Sequence, residues 1–179
     1  MEGLVGNGQN PHDILYWEHG AADYAGGYHH RSVTGSYWPL KFTSLPVDQW
    51  VSLGVTFLGT EMHGWKNGEL AVSNTTPGMA GAAGNDVYAD VLGSQTFGGG
   101  LDSSSQWLEG EIAERAIWNV ALSAVEMAAL GMGFRAFRIR PQNLVFYSPG
   151  IRGLQDLRGG RTLVRQAGVE VFTEHPSVR

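Results

Sequence analysis

The stretch from Gly110 to Gly131, GEIAERAIWNVALSAVEMAALG, constrains the fold more than any other part of the chain, because it reads as a strand, a turn and a short capped helix in one pass. Ile112, Glu114, Ala116 and Trp118 alternate with Glu111, Ala113, Arg115 and Ile117 at period two, which is the spacing of a strand and not of a helix. Both faces are mixed, so this strand is expected to be largely covered. Ser123 precedes Glu126 by three residues, a capping box in which the serine oxygen accepts from an orphan amide while the glutamate reaches back. Leu122, Val125, Met127 and Leu130 supply apolar surface and Gly131 offers a left-handed stop, so one short helix is predicted over 123–130.

The rest of the chain leans toward strands. Hydrophobic residues make up 42% of the 179, enough for one core, and 26 glycines against 7 prolines without a three-residue period fit many tight turns between short strands. Trp50 to Phe57 alternates cleanly, with Val51, Leu53, Val55 and Phe57 on one face and Ser52, Gly54 and Thr56 on the other, as in a half-buried strand. Met62 to Lys66 and Glu69 to Ser73 flank Asn67-Gly68, the dipeptide that tolerates positive φ at both central positions of a type I′ hairpin. A long loop is expected over 75–86, a short strand over 87–92, and further glycine-rich loop at Gly98 to Gly100. Asn143 to Ser148 reads as a strand, Leu154 to Leu157 and Thr162 to Val164 around Gly159-Gly160 as a hairpin, and Val169 to Phe172 as a last strand. Ile14 to Trp17 is strand-like, and Tyr24 to Trp38 is a glycine-punctuated aromatic stretch of no clear period.

Together these patterns predict an all-β fold, an antiparallel β-sandwich with one helix, as a single domain over 1–179. Residues 135–179 form a basic strand and hairpin extension packing on it. The net charge is -5, but residues 1–134 carry 4 Lys+Arg against 14 Asp+Glu while residues 135–179 carry 8 against 3. Such asymmetry would let the basic region dock on an acidic body, its own or a neighbour's. Nucleic-acid binding is not expected of an acidic chain whose arginines are not interleaved with stacking aromatics. The absence of cysteine excludes disulfides and thiolate metal sites. Neither a charged-then-apolar leader nor an apolar run of about 18 residues is present, so no signal peptide and no membrane span is expected.

Three segments in this order, Trp50 to Thr56 (WVSLGVT), Trp65 to Gly68 (WKNG) and Gly110 to Ser123 (GEIAERAIWNVALS), resemble the concanavalin A-like, LamG-type jelly roll. In that family the first is a core strand, the second a hairpin, and the third a penultimate strand leading into a short helix. The likeness covers roughly residues 50–131. Ile139 to Tyr147 (IRPQNLVFY) and Gly153 to Leu163 (GLQDLRGGRTL) resemble the tails of LamG-like proteins of bacteriophages and prophages. Family members open with a further strand or two before the segment matching Asp13 to Trp17. The resemblance therefore implies a sheet edge to be filled by the strands near Leu144 and Val169, or by another subunit.

The same resemblance supplies a catalytic alternative. Laminarinase-type glycoside hydrolases on this fold carry acidic residues at i, i+2 and i+5 of one strand, and Glu109, Glu111 and Glu114 fall at that spacing. Retaining chemistry needs two carboxylates about 5–5.5 Å apart. In a regular strand Glu109 and Glu111 share a face at about 6.6 Å, while Glu114 points the other way unless a bulge re-aims it. The central aspartate of those enzymes is a glutamate here, and binding-type LamG domains show Gly-x-Ile-x-Glu at this point with no catalysis implied, so the structural role is preferred.

Other chemistry is weaker. His12, His19, His29, His30, His63 and His175 lack H-x-H or H-x-x-x-H spacing, and no metal site is expected of them. LamG-like modules often bind calcium through loop carboxylates, which makes Asn85, Asp86, Asp90 and Asp102 the calcium candidates, although no D-x-D-x-D-G run occurs. No G-x-S-x-G motif exists, and Gly98 to Gly100 lacks the lysine of a phosphate loop. Sugar binding would use aromatic planes against pyranose rings, with Tyr37, Trp38 and Trp65 as the carbohydrate-binding candidates and Tyr24 and Tyr28 behind them. The expected function is a noncatalytic, lectin-like structural or binding module of a phage virion, made in the host cytoplasm. A head decoration or fibre protein of this kind would contact capsid protein, glycans or further copies of itself; the alternative is a glycoside hydrolase acting on β-glucans.

Overall fold

The computed structural model describes residues 2–6, 12–19, 24–31, 37–46, 48–58, 61–75, 96–97, 111–150, 153–160 and 163. They are mostly strands in antiparallel sheets with one α-helix, as the sequence predicts for an all-β chain. The strand expected over 87–92, the glycines at 98–100, most of the loop expected over 75–86 and the last strand at Val169 to Phe172 lie outside the described residues. The chain divides into two compact units. One comprises Met1–Lys66 with Leu70–Gly110, the other Asn67–Glu69 with Glu111–Arg179.

Among the described residues the first unit contains two sheets. In the larger, β1 (Glu2–Gly6), β2 (His12–His19), β3 (Tyr24–Arg31), β4 (Tyr37–Phe42) and β8 (Thr96–Phe97) pair in the order β4-β3-β2-β1-β8. The ladder of β2 and β3 runs unbroken from His12 opposite Arg31 to His19 opposite Tyr24, and β4 continues it with Phe42 opposite Gly26. The glycine-punctuated aromatic stretch is thus two strands, β3 and β4. Pro39 sits in β4, at one end of the sheet order, where a residue without an N–H is tolerated. The smaller sheet has β5 (Leu53–Leu58), β6 (Glu61–Lys66) and β7 (Glu69–Thr75) in the order β5-β6-β7.

Leu40 of β4 and Met62 of β6 are fully buried against each other, and Val55, Phe57 and Val72 pack around them. The apolar face of the Trp50 to Phe57 pattern therefore meets the core as expected. Its other face is not open, however: Thr56 is buried too. Gly64 makes the packing possible, since a β-carbon there would fall 2.7 Å from Val72 Cγ1 and 2.8 Å from Phe42 Cε1. The ring of Phe42 takes that space.

Asn67 and Gly68 join β6 to β7 with φ of 51° and 82°, both positive as a type I′ turn demands. In the second unit this turn lies against α1 (Ala124–Gly131). A β-carbon on Gly131 would come within 2.3 Å of the Asn67 carbonyl group, and one on Gly68 within 2.7 Å of Ala128 Cα. Ser123 caps the helix as the capping box predicts, its N–H donating to Glu126 Oε2 at 2.7 Å and its hydroxyl accepting from the Glu126 N–H at 3.4 Å. The left-handed stop falls two residues later than expected. Gly133 has φ 87°, its N–H donates to the Leu130 carbonyl and that of Phe134 to the Ala129 carbonyl, which is a Schellman ending. Gly131 is needed instead for close approach. Val125, expected on the buried face, is 79% exposed, because Met127 and Leu122 occupy the inward positions.

β9 (Arg115–Trp118) and β10 (Leu144–Ser148) form a two-stranded antiparallel sheet. The strand near Leu144 thus pairs with β9 and does not fill the edge beside Asp13 to Trp17, where β1 lies. β9 is shorter than the Glu111 to Trp118 alternation predicts, since Glu114 adopts φ 53° and breaks the extended run. Ala136, Leu144 and Tyr147 form the core of this unit, with Ala116, Trp118 and Leu130 packed on it. The expected C-terminal hairpin is present in part, closed by the Leu163 N–H on the Leu154 carbonyl at 2.8 Å across a turn at 157–159.

Glu126 also pairs with Arg140 Nε. Desolvation pushes its carboxyl up, but the hydrogen bonds from Ser123 and the Arg140 guanidinium outweigh it and hold the group below its ordinary 4.5. A carboxylate with a depressed folded value stabilises the fold above its unfolded value, and that contribution disappears as pH falls through the folded one. Melting curves taken from neutral into acid pH are expected to show the native chain converging on Glu126→Gln; a constant gap between them would contradict the assignment. Gly131→Ala is expected to destabilise by about 1–3 kcal/mol, the usual cost of overpacking. Denaturant unfolding measures it, with the exposed Leu157→Ala as a control that leaves the midpoint in place.

Candidate functional site

Of the three glutamates at catalytic spacing, Glu109 lies outside the described residues, Glu111 is exposed and Glu114 is half-buried. The left-handed backbone at Glu114, fastened by its N–H to the Pro149 carbonyl at 3.2 Å, turns its carboxylate toward β10. There both oxygens accept from the Tyr147 hydroxyl, at 2.9 and 3.2 Å. Burial first, and then this carboxylate, push the Tyr147 phenol well above its ordinary range. The phenol is therefore held protonated, as the donor that the carboxylate requires.

Arg115, next along β9, donates from Nη2 to Ser148 Oγ at 3.1 Å, and burial brings its guanidinium down to about 10. Gly150 keeps the following backbone close: φ is 74°, and a β-carbon would meet Arg115 Nη2 at 2.9 Å. Asp156 is buried and its Oδ1 accepts from the Tyr147 and Arg158 N–H groups, both at 3.0 Å. Arg158 Nε in turn donates to the Leu144 carbonyl at 2.9 Å. Each ionic group here satisfies a partner on an adjoining strand or turn, and the arrangement fastens β9, β10 and the 153–160 turn. It places the Glu114 carboxylate beside a phenol.

The first unit holds another polar row. His63 Nε2 lies 3.1 Å from Glu61 Oε2 and its Nδ1 lies 3.1 Å from Ser73 Oγ. With Nε2–H donating to the carboxylate, Nδ1 accepts from the Ser73 hydroxyl. Sequence reasoning missed this row, though Glu61 and His63 stand two apart on one strand and the hairpin brings Ser73 back beside them. Its third neighbour is Trp65, whose ring is 6.4 Å from that of His63.

Trp65 differs from the expected sugar platform. It is 8% exposed and its indole N–H donates to Thr56 Oγ1 at 2.9 Å, so the ring is packed against the smaller sheet and presents no open plane. Tyr37 and Trp38 are placed only by register, opposite Arg31 and His30 in β4. The calcium candidates Asn85, Asp86, Asp90 and Asp102 and the residue His175 lie outside the described residues. His29 and His30 stand opposite Ile14 and Asp13 in β3. Among the described residues no cluster of three or more histidines and acids could hold a metal, and no helix is long and apolar enough to cross a membrane.

No family model and no curated protein matches the chain. Among solved structures, an S-layer domain-containing protein from Clostridium thermocellum ATCC 27405 (residues 221-444) is similar at 22% identity over 67% of this chain, with a TM-score of 0.34. This chain spans 56% of that one.

Removing the phenol tests the fastening. Tyr147→Phe leaves the half-buried Glu114 carboxylate without that donor and is expected to cost about 1–3 kcal/mol. The double variant with Glu114→Gln should recover part of the loss in urea unfolding; strictly additive losses would mean that the two side chains do not act together.

Proposed function

We propose that the chain is a noncatalytic structural or binding module, a β-sandwich of the concanavalin A-like, LamG type, serving as a phage virion component such as a head decoration or fibre protein. Capsid protein or a surface glycan would be its contact, and the virion its location. The observation that supports the noncatalytic side is the use of Glu114, whose two oxygens both accept from the buried Tyr147 hydroxyl. A carboxylate committed to a core phenol fastens two strands and is poorly placed to attack a sugar. The virion side is supported by the likeness of Ile139 to Tyr147 and Gly153 to Leu163 to phage and prophage tails. Of the sugar-binding candidates, Tyr37 and Trp38 carry the glycan variant of the proposal, since Trp65 is packed inside.

The rival reading is β-glucan hydrolysis through Glu109, Glu111 or Glu114. Purified protein is expected to release no reducing sugar from a panel of β-glucans, unchanged by Glu111→Gln; hydrolysis abolished by that substitution would establish the rival. The tagged chain is expected to sediment with phage particles from an expressing, induced host, and Trp38→Ala to abolish any glycan-array retention without altering the melting transition. A chain that never accompanies particles and retains no glycan would end the proposal.

A further inference from the structure

Asn67-Gly68 is a reactive pair as well as a turn. The chain holds two Asn-Gly pairs, Asn7-Gly8 and Asn67-Gly68, and its other asparagines precede Pro, Thr, Asp, Val or Leu. Glycine has no side chain to shield its nitrogen or restrict its approach, so in an unfolded chain that nitrogen can attack the asparagine side-chain carbonyl. A bond forms between Gly68 N and Asn67 Cγ, the Cγ–Nδ2 bond breaks, and ammonia leaves with the proton of the Gly68 amide. Water then opens the cyclic imide at either carbonyl, giving aspartate or a β-linked isoaspartate. The sequence of steps consumes water and needs no oxidant or metal.

The second unit holds this pair away from the reaction. Ring closure requires the Gly68 nitrogen to stand on the same side of the Asn67 Cα–C bond as Cβ, whereas a type I′ turn holds it on the opposite side. Rotation about that bond would carry the Asn67 carbonyl and the Gly68 nitrogen with it, and those are the atoms packed on α1. A β-carbon on Gly131 would lie 2.3 Å from Asn67 C and O and 2.4 Å from Gly68 N. Gly68 is buried against Met127 and Ala128, although Asn67 is exposed. We propose that Asn67-Gly68 is a self-modification site latched by α1, so that release of the helix from the turn is recorded as a one-way change of amide to acid. The product does not reseat as the amide did. Isoaspartate lengthens the backbone of a turn that has no room for an added carbon at Gly68. Either product also puts a carboxylate at a residue packed on the last turn of α1, the negative end of the helix dipole.

The full chain, incubated at mildly alkaline pH and mapped by peptide mass spectrometry, is expected to keep Asn67 as the amide while folded. Fully unfolded in urea, Asn67 should convert at the rate of Asn7 in the same sample. At a urea concentration below the unfolding midpoint, Ser123→Ala removes the cap at the end of α1 remote from the turn and is expected to speed conversion at Asn67 roughly fivefold. Gly131→Ala, which unseats the turn directly, should speed it about tenfold. If that variant does not fold, the cap variant and a urea series on the parent chain decide alone. Across the series, conversion is expected to follow deuterium exchange at the α1 amides. Conversion of the folded chain at the unfolded rate would overturn the inference. So would a rate indifferent to Ser123→Ala, or conversion that proceeds while the α1 amides stay protected. None of these results depends on particles or glycans, so the virion reading and this one stand or fall separately.

Discussion

Two missing β-carbons set the packing of this chain. At Gly64 the aromatic ring of Phe42 occupies the space a side chain would need, and at Gly131 the backbone of Asn67 does so. Protein interiors are close-packed, so a methyl group at either point displaces neighbours that cannot yield, especially where the neighbour is main chain. In the first unit this proximity lets Leu40 and Met62 close the core. In the second it seats the turn at 67–69 on the helix. The same turn depends on the tolerance of Asn67 and Gly68 for positive φ, so one dipeptide meets a conformational demand and a packing demand together.

How much of this was legible follows from how local each signal is. The capping box at Ser123 and Glu126, the hairpin at Asn67-Gly68 and the alternation through Val55 and Phe57 are set by near neighbours, and they appear in the structure where the residues indicate. The departures all come from tertiary partners. Gly131 looked like a helix stop because stops favour glycine, but Gly133 two residues on serves that role and Gly131 answers to Asn67. Glu114 fitted a period of two, yet its hydrogen bonds to Tyr147, 33 residues away, favour a left-handed backbone that ends the strand. Trp65 carried no mark distinguishing a core indole from an exposed one; Thr56 across the ladder decided it. β3 and β4 were unreadable alone because glycines and histidines blur their alternation, and pairing with β2 supplies what the local pattern lacks.

The candidate site shows the same division. Acid spacing from Glu109 to Glu114 suggested catalysis by family likeness, while geometry gives Glu114 a phenol, Arg115 a serine and Asp156 two backbone amides. Half-buried ionic groups arranged this way leave few donors or acceptors unmet, and they fix one alignment of strands more than they add stability. The row of Glu61, His63 and Ser73 does comparable work on the smaller sheet, joining two strands through side chains in addition to the ladder.

Among the described residues the larger sheet runs from β4 on one rim to β8 on the other. Pro39 deletes an amide from the first rim and the exposed Lys41 adds a charge to it. An incoming strand from a foreign chain would find a gapped, charged template on the β4 rim, which discourages fibril growth by backbone pairing there.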